Sequence, residues 1–166
     1  ALIYGALAVL ILIWGTTWAA IRIGLEGLPP FTGASLRFIL AGLVLMAVTR
    51  ALKVPSQTGP RLRRLWWIEG FFAFGLSYGI VYWAEQFVPS GLAAVLFSTF
   101  PFFVAILAHL WLEDERMKWI HVLGIAVGCG GVALISGDDF VLESRQQVIA
   151  SLVMLGSPMA AAVAHV

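Results

Sequence analysis

The chain has 166 residues, 61% of them hydrophobic and 11% charged, with a mean hydropathy of +0.96. Soluble domains run near about 45–50% apolar and about 25% charged, and a globule of this length could not cover so much apolar side chain with polar surface. A soluble enzyme, a nucleic-acid binder and a disordered chain are set aside on that ground. The net charge of +1 offers no field for a polyanion, and the single cysteine, Cys129, allows no internal disulfide. The composition is that of an integral membrane protein.

A helix crossing a hydrocarbon core about 30 Å thick needs roughly 20 mainly apolar residues. Six stretches reach that length, at about 2–21, 31–49, 66–84, 91–112, 119–136 and 148–166. Leu92–Phe97 and Val122–Ala126 are apolar at successive positions, unlike the alternating strands of a membrane barrel. The fold expected is therefore all-α, a polytopic transmembrane helix bundle. The first stretch is too long and too evenly apolar for a signal peptide. Loop 50–65 carries Arg50, Lys53, Arg61, Arg63 and Arg64, and loop 113–118 carries Arg116 and Lys118. Arg22 and Arg145 are the two basic residues of segments 22–30 and 137–147. Because Lys and Arg are retained on the cytoplasmic side, seven against two sets the N-terminus inside, in a cytoplasmic membrane. Trp66, Trp67, Trp83, Trp111 and Trp119 fall at span ends, where indole rings favour the interface.

In span one, Trp14 and Trp18 share a face at i, i+4 spacing, with Thr17 between them. Pro29-Pro30 sets up span two, since proline suits the first helical turn. Arg37 lies about two turns into that span, where it either pairs with Glu85 at the end of span three, snorkels outward, or meets a substrate carboxylate. Glu69, one turn inside span three, is read as neutralising the Arg61–Arg64 cluster. Tyr78 and Tyr82 share a face of the same span; like the tryptophans, they line a wet cavity or pack between helices. Gly75-Leu76-Ser77-Tyr78-Gly79 matches the G-x-S-x-G nucleophile elbow. No histidine is level with Ser77 to act as its base, so Gly75 and Gly79 read better as a packing face and an intramembrane serine hydrolase as the lesser alternative.

Span four contains Ser98-Thr99-Phe100-Pro101, in which Pro101 removes a backbone hydrogen bond and bends the helix. Ser98 and Thr99 then either open a polar pocket or satisfy the freed carbonyls. In span five, Gly124 and Gly128 form a G-x-x-x-G pair that suits close helix packing, with Cys129 a small packing residue. The overlapping G-x-G-x-x-A at 128–133 lacks the strand that a dinucleotide site requires. No spacing pairs two of His109, His121 and His165 on one helix, so neither a metal site nor a cofactor is expected.

These residues resemble the EamA-type transporters of the drug/metabolite transporter superfamily. The likeness rests on Trp14-Gly15-Thr16-Thr17-Trp18, Leu36-Arg37-Phe38 and Pro89-Ser90-Gly91-Leu92-Ala93-Ala94, then Pro101, Glu115-Arg116, Gly124, Gly128 and Gly131-Val132. It covers about residues 5–136. The resemblance implies ten helices in two five-span repeats, and a repeat with an odd number of spans must insert its successor upside down. Residues 1–136 would be the first repeat, 137–147 an outer loop, and 148–166 the first span of a truncated second repeat. Spans one, three and four would line a substrate path through Trp14, Thr17, Trp18, Tyr78, Tyr82, Ser98 and Thr99, with Arg37 of span two a further path candidate, and span five would pack on its counterpart. The expected activity is export of small organic metabolites, amino-acid-like or drug-like, by alternating access. The expected partners are the lipid bilayer, a small solute, and the missing C-terminal repeat or a second chain. A non-transporting membrane scaffold assembled through the span-five glycines is a further alternative. Related small multidrug exporters carry a first-span glutamate, which residues 2–21 lack. Any proton coupling would need Glu69, Glu85 or the absent half.

Overall fold

The computed structural model describes residues 2–55, 59–113, 117–135 and 144–166. Among these residues there are helices and no strands. Span one is α1 (Leu2–Gly27) and span two is α2 (Pro30–Ala51), with Pro30 in its first turn as expected. Span three is one continuous rod of three parts: α3 (Pro60–Glu69), a π-helical stretch at Gly70–Ser77, and α4 (Tyr78–Ala84). Span four is α5 (Ser90–Phe97) followed by α6 (Phe100–Trp111), and span five is α7 (Trp119–Ile135). The sixth span is α8 (Arg145–Met154) and α9 (Gly156–His165), with Ser144 capping α8 by accepting the Gln147 N–H at 3.2 Å. Four of these rods, Ile3–Gly27, Pro30–Ala51, Ser90–Trp111 and Arg145–His165, are long and apolar enough to cross a membrane, and Trp119–Gly131 is a shorter apolar helix. Arg116, Glu115 and most of the expected 137–147 loop lie outside the described residues.

Three spans depart from a simple α-helix. In span four the interruption falls at Ser98-Thr99, and Pro101 becomes part of the first turn of α6. Both hydroxyls turn back onto their own helix: Ser98 Oγ donates to the Val95 carbonyl and Thr99 Oγ1 to the Leu96 carbonyl, each at 2.6 Å. The same two carbonyls also accept the Ser98 and Thr99 backbone N–H groups at 3.1 and 3.3 Å, so the backbone stays paired through a tighter turn that the hydroxyls reinforce. In span three, Gly70 opens and Gly75 lies within a stretch with wider i to i+5 pairing, which inserts one extra residue into the helical frame. In span six, Leu155 divides α8 from α9, whose first residues are Gly156-Ser157-Pro158.

The sixth span packs most extensively against the π-helical stretch and α6. There Ser77 and Ser157, both buried, share a hydrogen bond of 2.9 Å across two spans. Near one end of the bundle the core gathers Ile21, Ala34, Val81, Tyr82, Ala84, Val88, Leu92, Ala93, Ala150 and Met154. Alanines 84, 93 and 150 are fully buried, small side chains that let helix backbones close on each other. The large apolar side chains of the α2 face, including Leu40, Leu43 and Val44, are exposed, which hydrocarbon tolerates and water does not.

Ser77→Ala or Ser157→Ala each leaves one buried hydroxyl unpaired and lowers stability by about 0.5–2 kcal/mol. The double variant costs less than the sum of the two, as read from denaturation in mild detergent.

Candidate functional site: two cavities joined at an aromatic wall

Span one presents Ile13, Trp14, Thr17, Trp18 and Ile21 along one stripe at i, i+3, i+4 spacing. Thr16 Oγ1 and Thr17 Oγ1 donate to the carbonyls of Leu12 and Ile13, each at 2.7 Å, so these hydroxyls are satisfied within α1. Against this stripe lie Arg37 from α2, Ser77, Tyr78 and Val81 from span three, and Phe97 from α5. Together they line an enclosed pocket of about 90 Å³. On the other side of the tryptophans is a broader cleft of about 540 Å³, lined by Trp14, Trp18, Ala94, Phe97, Ser98, Phe100, Pro101, Gly124, Ile125, Gly128 and Cys129. Trp14, Trp18 and Phe97 are common to both spaces, and the Trp18 and Phe97 rings meet edge-on at 5.4 Å.

Arg37 is the one charged side chain of the enclosed pocket. Its guanidinium carbon lies 5.7 Å from the centre of the Tyr78 ring and 5.9 Å from that of Phe38, and those two rings meet edge-on at 4.9 Å. Cation–π contact holds the guanidinium without neutralising it. Of the readings open for Arg37, pairing with Glu85 is not what the structure shows, since neither Glu85 carboxyl oxygen has a hydrogen-bond partner. Arg22, on α1, is the cation at Glu85, and its Nη1 donates to the Glu85 backbone carbonyl. Glu85 follows α4 about two helical turns beyond Tyr78, too far along the rod to meet Arg37.

The remaining candidates separate by position. Trp14, Thr17, Trp18 and Tyr78 converge on the enclosed pocket, and Ser98 lines the cleft. Tyr82 is buried in the core, where its Cε1 would lie 3.5 Å from a Cβ built on Gly33. Thr99 bonds back to its own helix. A Cβ on Gly75 would lie 3.4 Å from the Gly70 carbonyl in the same rod, and one on Gly79 would lie 3.9 Å from Phe31 of α2. Gly124 and Gly128 border the cleft, and a Cβ on either would meet nothing within 4 Å. Cys129 reaches α5: its thiol donates to the Ser98 carbonyl at 3.5 Å, and Ser98 Oγ lies 3.7 Å from its sulfur. Among the described residues no histidine joins Ser77, whose hydroxyl is taken by Ser157, so nothing supports the hydrolase alternative. No cluster of metal-ligating side chains occurs among them either.

Sequence reasoning did not place Ile21, Ser77 or Phe97 on the pocket wall. Ile21 was readable, since it continues the Trp14, Thr17, Trp18 stripe at i+7. Ser77 carried no such signal because the π-helical stretch rotates it away from an ideal α position, and Phe97 carried none because its place depends on how the end of α5 packs against α1.

The chain as a whole has counterparts among known proteins. Residues 1–137 match the EamA-like transporter family. The chain belongs to that family. It is 36% identical over 159 residues to the uncharacterized inner membrane transporter YedA of Escherichia coli, covering 93% of this chain and 49% of that protein. It is 30% identical over 144 residues to Protein PagO of Salmonella typhimurium, covering 86% and 47%. It is 34% identical over 157 residues to a probable terminal-alkyne amino-acid exporter of Streptantibioticus cattleyicolor, covering 91% and 51%. The chain thus spans about half the length of the curated relatives it matches. No solved structure matches it. With its long apolar helices, this EamA-like chain is integral to a membrane.

Because a Cβ at position 128 enters open space, Gly128→Leu keeps stability within about 0.5 kcal/mol. The new side chain occupies the cleft beside Cys129, so maleimide modification of Cys129, followed by intact mass, slows.

Proposed function

We propose that the chain forms one half of an exporter of small carboxylate-bearing organic solutes, amino-acid-like in size and character, in a cytoplasmic membrane. Arg37 carries the reading. It is a guanidinium held by aromatic faces, at the wall of an enclosed and otherwise mostly apolar pocket. A planar fork of N–H donors suits a carboxylate, and Trp14, Trp18 and Phe97 suit the apolar remainder of a small solute. The family match supports transport, and one relative is named as a probable amino-acid exporter.

The mechanism needs no covalent chemistry. Solute binds near the middle of the bundle, and two inversely oriented five-span repeats rock about it, exposing the site to one side and then the other. The second half comes from the remainder of a longer protein or from a second chain. The excess of Lys and Arg in loops 50–65 and 113–118 supports a cytoplasmic N-terminus. The breaks in spans three and four sit beside the pocket, where a helix bends at least cost.

The test is export by the full-length protein in cells, followed by mass spectrometry of the medium in overexpressing and deletion strains. Arg37→Ala removes a charge-assisted bond of about 1.5–3 kcal/mol and weakens handling of carboxylate solutes by roughly 10–100-fold. Arg37→Lys retains part of it. Wild-type export of such solutes by the Arg37→Ala protein would overturn the assignment of Arg37.

A further inference from the structure

Glu85 lies outside both cavities, directly after α4, beside Ala84 and Val88 of the apolar core. Its side chain is 0% exposed, and neither carboxylate oxygen has a hydrogen-bond partner. An ionised carboxylate is strongly disfavoured in such a place without a partner. The C-terminal end of a long helix, where the backbone dipole is negative, disfavours it further. In this arrangement the buried group is the neutral acid.

The cation that could pair with it is already there. Arg22 donates to the Glu85 backbone carbonyl, one of the acceptors left free at the end of α4, and not to the carboxyl oxygens of the same residue. Among the described residues, other charged groups on the surrounding elements are engaged elsewhere or lie open. On α1, Glu26 is exposed. On α2, Arg37 sits over Tyr78 and Arg50 is exposed in the last turn. The π-helical stretch and α5 contain no titratable side chain. On α8, Arg145 is exposed, and on α9, His165 bonds the Ala161 carbonyl and meets the Phe100 ring.

One guanidinium therefore has two acceptors on a single residue. Its neighbours tie that choice to the solute pocket. Ile21 adjoins Arg22, and Val81 accepts the Glu85 backbone N–H at 2.9 Å; both line the enclosed pocket.

We propose that Glu85 is a proton-binding site, separate from the Arg37 pocket, at which gain or loss of a proton moves Arg22 between the Glu85 carbonyl and the Glu85 carboxylate and shifts the Ile21–Val81 wall. Protonation forms one O–H bond on a carboxylate oxygen and neutralises its charge; Arg22 keeps its proton throughout and no electrons are transferred. With the proton bound, Arg22 rests on the carbonyl. With the proton released, the carboxylate draws Arg22 to itself and spans one and three close on each other. The proton site stands on the Glu85 geometry, and its use in driving solute movement rests on the transport reading above.

The experiment uses the full-length protein in liposomes and infrared difference spectra recorded against pH. The wild type is expected to show the C=O stretch of a protonated carboxylic acid that shifts in D2O, disappears on alkalinisation and is absent from Glu85→Gln. In Arg22→Gln the band persists to higher pH, because the cation that stabilises the ionised form is gone. That variant keeps the site testable even if Glu85→Gln fails to fold. A wild-type spectrum without a titrating carboxyl band, or a band unaffected by both substitutions, overturns the site. In the same liposomes, L-propargylglycine, a terminal-alkyne amino acid, is the transport probe. Coupling predicts that Glu85→Gln loses uptake driven by a pH gradient while keeping solute exchange; uptake equal to wild type overturns coupling. If no propargylglycine moves even in the wild type, the solute assignment fails, while the infrared titration still decides the proton site.

Discussion

A backbone amide inside hydrocarbon has no water to turn to, and the rest of this structure follows from that. It obliges the apolar segments to be helical, and it makes any departure from the helix visible as a local set of substitute hydrogen bonds. Span four departs at Ser98-Thr99, and those two side chains donate to the carbonyls of Val95 and Leu96. Span three departs at Gly70–Ser77 by widening its pairing without giving it up. Span six departs at Leu155-Gly156, next to the serine that bonds Ser77. Each irregularity sets at least one side chain against another span: Ser77 of span three meets Ser157 of span six, and Ser98 of span four meets Cys129 of span five.

Those departures also position the chemistry. The π-helical stretch ends at Ser77, so Tyr78 begins a new α-helical frame, and its ring takes up a place under the Arg37 guanidinium. The break after Phe97 lets that ring close against Trp18, while the cleft opens alongside Ser98 and Pro101. At the far end of α4, Arg22 covers a carbonyl that the helix leaves unpaired. Two arginines on adjoining spans thus hold different posts: Arg37 at the wall of the pocket, and Arg22 about two turns further along span three.

Much of the site was legible in the residues because α1 is a regular helix. Trp14, Thr17 and Trp18 share a stripe by spacing alone, and they do meet on one pocket wall. Tyr78 and Tyr82 show the limit of the same rule. Their i, i+4 relation holds within α4, yet Tyr78 lines the pocket while Tyr82 is buried in the core near Gly33, because different neighbours cover successive turns of that rod. The Arg37–Glu85 pairing failed for a similar reason: depth along two separate spans does not say which side chains turn toward each other.

Composition and hydropathy by themselves determined that the chain lives in a membrane and crosses it as helices, since no other solvent accepts so much apolar surface. The order of its motifs determined the EamA-like family, as the match over residues 1–137 bears out. Proline and hydroxyl spacing located the break in span four. Tertiary structure alone decided that Arg22 and not Arg37 stands at Glu85, that Ser77 bonds a serine 80 residues away, and that the sixth span seats against the third. Those outcomes depend on how helices rotate and pack. That is set by the fit of side chains brought together from distant parts of the chain, which no local pattern of residues encodes.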